Sequence, residues 1–213
     1  MVSRSPVLPG WGGYSARMAS PRALALLLAS WLLPVSAAAQ PAPSLPPRPG
    51  APTSPAGVSA AQVQAALNER PVLRLMLLNL SLREVLRAGT VKLTPNTALK
   101  LRILLAPLSS GATLRPDTAG QTVTNLLAAL TPEQRRAVEG NMQSREDRAR
   151  MLASQTRIAG TAGPVSGVQA VLYLLVPGGR SVVDRLGRQD DLNPYRSNAA
   201  NTDILSSLLE LLK

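Results

Sequence analysis

The pattern Leu-x-Pro occurs three times between positions 93 and 132, and it constrains where three helices can begin. The copies are Leu93-Thr94-Pro95, Leu114-Arg115-Pro116 and Leu130-Thr131-Pro132. Proline suits the first position of a helix, because the N–H that it lacks would have no intrahelical partner there, and a preceding threonine can cap the helix. An apolar helical pattern follows each copy. The sequence therefore predicts three consecutive helices joined by short turns.

Other capping and breaking residues divide the chain from position 59 onward into further helices. Ser59 can cap the first helix, and Pro71 either interrupts the helical structure or is the first residue of the second helix. The second helix is strongly apolar, so we expect it to be the central core helix, closed by Gly89. The predicted helices, each read from apolar residues at helical spacing, are 60–69, 72–88, 94–107, 116–130, 131 to about 158, 181–186 and 202–213.

Several local features allow more than one interpretation. The third helix is predicted from Leu99, Ile103 and Leu104, with Pro107 and Gly111 at its end. The fifth is polar, carries the expected pairs Arg135–Glu139 and Glu146–Arg150, and could break at 140–141. Residues 164–176 can form a helix or a strand, and we expect a helix. Residues 188–201 read as a polar loop, and the apolar stripe of 202–213 must dock on its own core or on a partner.

The composition supports an all-α fold. Apolar residues make up 45% of the 213, Phe is absent, and outside the first 31 residues the aromatic side chains are Tyr173 and Tyr195. A core of Leu, Val, Ile, Met and Ala suits helix packing better than a sheet, which favours aromatic and β-branched residues. We expect a small helical bundle of five to seven helices over residues 59–213.

The first 58 residues read as targeting and spacer segments. Residues 18–40 have an arginine, an apolar run of about a dozen residues and small residues at 37 and 39, which is typical of a secretory signal peptide cleaved after Ala39 or one residue earlier. The apolar run is short of the roughly 20 residues of a spanning helix, so a permanent anchor is the weaker alternative. Residues 1–17 resemble neither the positively charged start of a signal peptide nor a folded domain, and Met18 is an alternative start of translation. Seven prolines lie in 40–58, which predicts a disordered linker. We therefore expect a periplasmic or secreted protein.

No catalytic, cofactor or metal site is predicted. Cys and His are both absent, which removes thiolate nucleophiles, imidazole bases and the commonest zinc ligands. Gly178-Gly179-Arg180 lacks the Lys-Ser/Thr of a phosphate loop and the third glycine of a dinucleotide fingerprint, so it reads as a turn. The acid and amide side chains near the C-terminus match no calcium-loop spacing and read as solvated; they are Asp184, Gln189, Asp190, Asp191 and Asn193.

The charge points to anionic partners. The formal net charge is +11, and almost all of it is arginine. Anionic lipid, an acidic polymer or nucleic acid would be attracted to such a surface. The arginines of the fifth helix (Arg145, Arg148, Arg150 and Arg157) are interrupted by Glu146 and Asp147 and lack an aromatic stacking platform, which disfavours nucleic acid. Arginine spread over solvated helix faces is the plainer interpretation.

A resemblance adds a class of function. Leu130-Thr131-Pro132-Glu133-Gln134, with Leu93-Thr94-Pro95 upstream, resembles the LTxxQ motif of the Spy/CpxP-type periplasmic helical proteins, and Thr97 stands where the first copy would have Gln. The resemblance implies an exported all-α protein of the chaperone or stress-modulator kind. We expect a binding protein of the bacterial cell envelope, chaperone-like and without catalysis, whose partners are unfolded or envelope proteins. The alternative is a structural or adapter protein that binds an anionic envelope component through its basic surface.

Overall fold

The computed structural model describes residues 57–155, 159–160 and 163–213, and over these residues the fold is all-α, as predicted. The expected signal peptide and nearly all of the Pro-rich linker lie outside this range. Nine helices and one pair of two-residue strands are present in the described residues, so the expected five to seven helices were too few. They are α1 (Ala60–Asn68), α2 (Pro71–Arg87), α3 (Pro95–Ser110), α4 (Pro116–Ala129), α5 (Pro132–Gln155), β1 (Ala159–Gly160), β2 (Gly163–Pro164), α6 (Gly167–Leu175), α7 (Gly179–Arg188), α8 (Pro194–Ser197) and α9 (Ala199–Leu211).

Every Leu-x-Pro copy opens a helix at its proline, as predicted: α3, α4 and α5 begin at Pro95, Pro116 and Pro132. The two copies with threonine also carry a side-chain cap. Thr94 Oγ1 accepts the N–H of Thr97 at 3.2 Å, and Thr131 Oγ1 accepts the N–H of Gln134 at 3.3 Å. The copy with Arg115 has no such cap. Proline therefore sets the start, and threonine adds a hydrogen bond to it.

Helix α2 is the central helix, which confirms the prediction from its composition. Eleven of its seventeen residues are buried, and α1, α4, α5 and α9 all pack against it. A helix that is apolar on most of its surface has to be largely enclosed in this way. Gly89, with φ +68°, ends it in the left-handed region that favours glycine.

Of the two residues expected to end α3, Gly111 does so and Pro107 does not. The helix continues through Pro107 to Ser110, and Gly111 is its C-cap. Proline there removes only the hydrogen bond to the carbonyl of residue 103, and Ile103 lies at the surface, where water can satisfy that carbonyl. Two of the residues from which this helix was predicted, Leu99 and Ile103, are exposed, and the core-facing residues are Leu101, Leu105 and Leu108. Helix α3 therefore has two aliphatic faces, and the face with Leu101, Leu105 and Leu108 packs in the core.

Helix α5 runs without a break through Gly140, so the expected break does not occur there. The expected pair Arg135–Glu139 forms, with the Nε–Oε1 distance at 3.5 Å. The expected pair of Glu146 with Arg150 does not form, because Arg150 contacts Asp147 instead.

The C-terminal quarter is more structured than a polar loop. Residues 164–176 contain α6, in agreement with the expected helix. Residues 188–201, predicted as a loop, contain α8 and the first turn of α9, because Asn193 and Asn198 cap these helices. The apolar stripe of α9 docks within the chain, on α2 and α3. Its buried residues include Ile204, Leu205 and Leu208.

Candidate binding surfaces

An open groove of about 390 Å³ lies between α3 and α4. None of its lining residues is acidic; they are Lys100, Ile103, Leu104, Asn125, Ala128 and Ala129. The walls are therefore mainly aliphatic, with one ammonium group and one amide at the edge. Such a lining can receive an apolar side chain from a partner but holds no group for acid–base chemistry.

Two large aliphatic side chains stand exposed beside this groove. Ile103 is 63% exposed and Leu99 is 55% exposed, which makes them the most exposed large apolar residues in the described part of the chain. They are four residues apart on α3 and so lie on one helix face. We call Leu99 and Ile103 the α3 stripe. An exposed apolar face that continues into an apolar groove is a feature of interaction surfaces.

The cations nearest the α3 stripe in sequence are Lys100 and Arg102, and both are exposed. No acidic residue occurs in α3, and α4 carries Asp117 in its first turn. The face is therefore apolar with a positive rim, and an apolar segment flanked by carboxylates would be attracted to it.

A second surface lies where α2 meets α5. Glu84 on α2 accepts hydrogen bonds from Arg145 on α5 through both carboxylate oxygens, one of them from Nε at 2.9 Å. Arg83 and Arg87 flank Glu84 on α2. Burial lowers the pKa of the Arg83 guanidinium, and the positive charges of Arg87 and Arg145 lower it further against the effect of Glu84. We call these four residues the arginine cluster.

The acidic residues considered from the sequence are not brought together into a site. The phenol of Tyr173 donates to Asp184 Oδ1 at 2.5 Å, and Arg180 Nε lies 3.2 Å from Asp184 Oδ2. The hydrogen bond from Tyr173 is the main reason why the pKa of Asp184 is lowered. This contact ties α6 to α7 and leaves Asp184 with a structural role.

The remaining acid and amide residues near the C-terminus either form hydrogen bonds within the fold or face solvent. Asn193 Nδ2 donates to the carbonyls of Leu108 at 2.9 Å and Gly111 at 2.7 Å, so it closes the C-terminal end of α3. Gln189 and Asp190 are exposed, and the N–H of Leu114 donates to the carbonyl of Asp191. Within the residues that the structure describes, no three acids, cysteines or histidines are grouped as metal ligands would be.

Gly178-Gly179-Arg180 forms a turn into α7, as predicted. Both glycines have positive φ, +83° and +52°, and Gly178 is the N-terminal cap of α7. The arginines of α5 are divided rather than clustered: Arg145 contacts Glu84, Arg150 contacts Asp147, and Arg148 is exposed. Arg157 lies outside the described residues.

Sequence reasoning missed several buried polar side chains, among them Asn79, Gln134 and Glu146. Asn79 Nδ2 donates to the phenol of Tyr195 at 2.6 Å inside the core. Gln134 of the LTxxQ segment is buried and binds the carbonyl of Lys92 at 2.9 Å. Glu146 is fully buried and accepts from Gln64 Nε2 at 2.5 Å. A polar residue inside an apolar run was the available signal for Asn79, but helix spacing alone indicated no partner for any of the three.

Comparisons with protein family models, with curated proteins and with solved structures found no match. In the described ranges, no helix combines the length and the apolar character that crossing a bilayer requires. We therefore infer function from the geometry of the two surfaces.

Proposed function

We propose that this chain is an exported helical binding protein of the bacterial cell envelope that holds aliphatic segments of unfolded clients, without catalysis. The observation that carries the proposal is the α3 stripe beside the groove between α3 and α4. The secretory pattern of residues 18–40 supports the location, and the LTxxQ resemblance supports the class of function.

The chemistry of the surface favours weak, reversible holding. Burying one large aliphatic side chain fully contributes about 1.5–3 kcal/mol, and the α3 stripe offers two. The groove has no aromatic side chain among its lining residues, whereas tight interfaces usually have aromatic anchors. Lys100 and Arg102 would favour clients with acidic residues next to the apolar segment. Such a surface delays aggregation and releases its client without an energy source.

The test is suppression of aggregation by the chain from Gln40 onward, with chemically reduced insulin as the client. We expect protection at a near-equal molar ratio for the wild type, and loss of protection when Leu99→Glu and Ile103→Glu are combined. Both side chains are exposed, so the variant should keep the wild-type melting temperature within a few degrees. If the wild type gives no protection at either low or high salt, the proposal is refuted.

A matched control is available on another face. Leu174 is 43% exposed on α6, and α6 packs on α5, α7 and α1, whereas α3 packs on α4, α9 and α8. Leu174→Glu introduces one negative charge at an apolar surface position, as Leu99→Glu or Ile103→Glu does alone. It should leave protection intact. Equal loss in this control would show that charge, and not the α3 stripe, matters.

The arginine cluster favours a second candidate function, that of an adapter bound to an anionic envelope polymer or lipid. This surface has three arginines and one carboxylate, of which Arg145 alone forms an ion pair with Glu84, and the whole chain is strongly basic. This candidate predicts co-sedimentation with cell wall or anionic vesicles at low salt and release at high salt. Lack of pelleting at low salt would exclude it.

A further inference from the structure

We infer that the arginine cluster on α2 and α5 binds one phosphate group through Arg83, Arg87 and Arg145. The inference deepens the second candidate function, because it names the site and the chemistry of the ligand. It is independent of the α3 stripe, so either proposal can fail alone.

The positions of the three guanidinium groups follow from the helices. Arg83 and Arg87 are four residues apart on α2, which places them on one face. Arg145 comes to this side of α2 from α5, because it is bound to Glu84, which is three residues from Arg87 and therefore its neighbour on the helix surface. About a third of the Arg145 and Glu84 side chains is exposed, and Arg87 is exposed. The cluster is therefore open to solvent on one side.

The charges are not balanced within the cluster. Both oxygens of Glu84 are taken by Arg145, which leaves Arg83 and Arg87 without a carboxylate among the described residues. Like charges at this spacing destabilise a helix. Burial adds to the cost, since Arg83 Nε is buried without a hydrogen-bond partner. An anion that contacts both outer guanidinium groups removes this repulsion.

Phosphate fits this arrangement better than a single carboxylate does. It presents several acceptor oxygens around one centre, so guanidinium groups from different directions can each form a charge-assisted hydrogen bond. Glu84 already occupies Arg145 in a bidentate contact, and a phosphate oxygen can approach Arg145 only beside it. Free phosphate and the phosphodiester of a lipid headgroup share this chemistry, and the experiment separates them.

The experiment measures melting temperature and binding of inorganic phosphate to the chain from Gln40 onward, against sodium chloride at equal ionic strength. We expect phosphate to raise the melting temperature above the chloride value. Arg87→Gln should weaken phosphate binding about tenfold, the effect of losing one charge-assisted contact. Glu84→Gln should strengthen it, because it removes the competing negative charge and keeps an amide oxygen that can still accept a hydrogen bond from Arg145.

The matched control is Arg188→Gln, which removes an exposed arginine in the last turn of α7. It should bind phosphate like the wild type. An equal effect of phosphate on wild type and Arg87→Gln, or an equal loss in Arg188→Gln, would overturn the inference, since either result means general screening.

A second arm identifies the source of the phosphate. Vesicles of phosphatidylglycerol, with phosphatidylcholine as the reference, should bind the wild type and not Arg87→Gln if a lipid supplies the group. Binding of inorganic phosphate without binding of vesicles supports the site with a soluble or polymeric phosphate as its ligand. Vesicle binding that is equal in Arg87→Gln, together with no effect of phosphate, would overturn the inference.

Discussion

Glu146 is buried on α5 with one oxygen satisfied and the other not. Gln64 donates to Oε1, and Oε2 is buried without a partner. Burial raises the pKa of this carboxyl, with a smaller contribution in the same direction from Asp147, and against the hydrogen bond from Gln64 and the charge of Arg150. A buried carboxyl of this kind favours its neutral form.

The raised pKa gives stability a defined pH dependence. The folded state holds the proton of Glu146 more tightly than the unfolded chain, so its contribution is complete below the ordinary pKa of 4.5. It is lost as the pH rises through the higher folded value. Glu146→Gln keeps an acceptor for Gln64 and cannot ionise. We expect its melting temperature, relative to the wild type, to increase as the pH rises from 4.5 to 7.

Glu139→Gln is the control for this pH dependence. Glu139 lies on the same helix but is half exposed beside Arg135, so its removal should change the melting temperature little at any pH. A constant offset between Glu146→Gln and the wild type across the pH range would contradict the prediction.

At the scale of the element, the starts of α3 and α5 show what the LTxxQ glutamine does. Gln134 Oε1 accepts the N–H of Thr131 at 2.9 Å, which completes a capping box, and Nε2 binds the carbonyl of Lys92. Thr97 occupies the equivalent position of α3, where its hydroxyl contacts that of Thr94 at 3.0 Å. The same start signal therefore has a stronger cap on α5 than on α3.

Two substitutions test this difference. Gln134→Ala should lower the free energy of unfolding by about 1–2 kcal/mol, because it removes the cap contact and leaves the Lys92 carbonyl without its donor. Thr97→Gln should raise it by a few tenths of a kcal/mol by completing the capping box on α3. Urea unfolding measures both. A neutral Gln134→Ala would mean that the glutamine is dispensable for the fold.

These local signals explain which parts of the structure were predictable from the sequence. Caps and prolines act within one turn, so the starts of the helices were predictable from Ser59, Thr94 and Pro116 alone. The outer face of α3 was not. Leu99 and Leu101 both belong to plausible stripes, and only the packing of α3 against α4 and α9 decides between them. For the same reason, the candidate binding surface could not be found from the sequence.

At the scale of the whole molecule, α9 closes the core around α2. Leu208 is fully buried, whereas Leu211, three residues later on the same helix, is 43% exposed. Leu208→Ala should lower the free energy of unfolding by about 2–5 kcal/mol, because it leaves a cavity against the central helix. Leu211→Ala should change it by no more than about 0.5 kcal/mol. Thermal or urea unfolding of the two variants makes the comparison, and equal effects would contradict the docking of α9.

The hydrogen bond between Asn79 and Tyr195 joins parts of the chain that are made at different times during synthesis. Its partners are 116 positions apart in the chain, and α9, which also covers α2, comes later still. A nascent chain that has completed α2 therefore has no Tyr195 to pair with Asn79 until α3 to α7 have also been made. Contacts of such long sequence separation form late. Asn79 therefore stays without this partner while α4 and α5, which are made earlier, can already pack on other faces of α2.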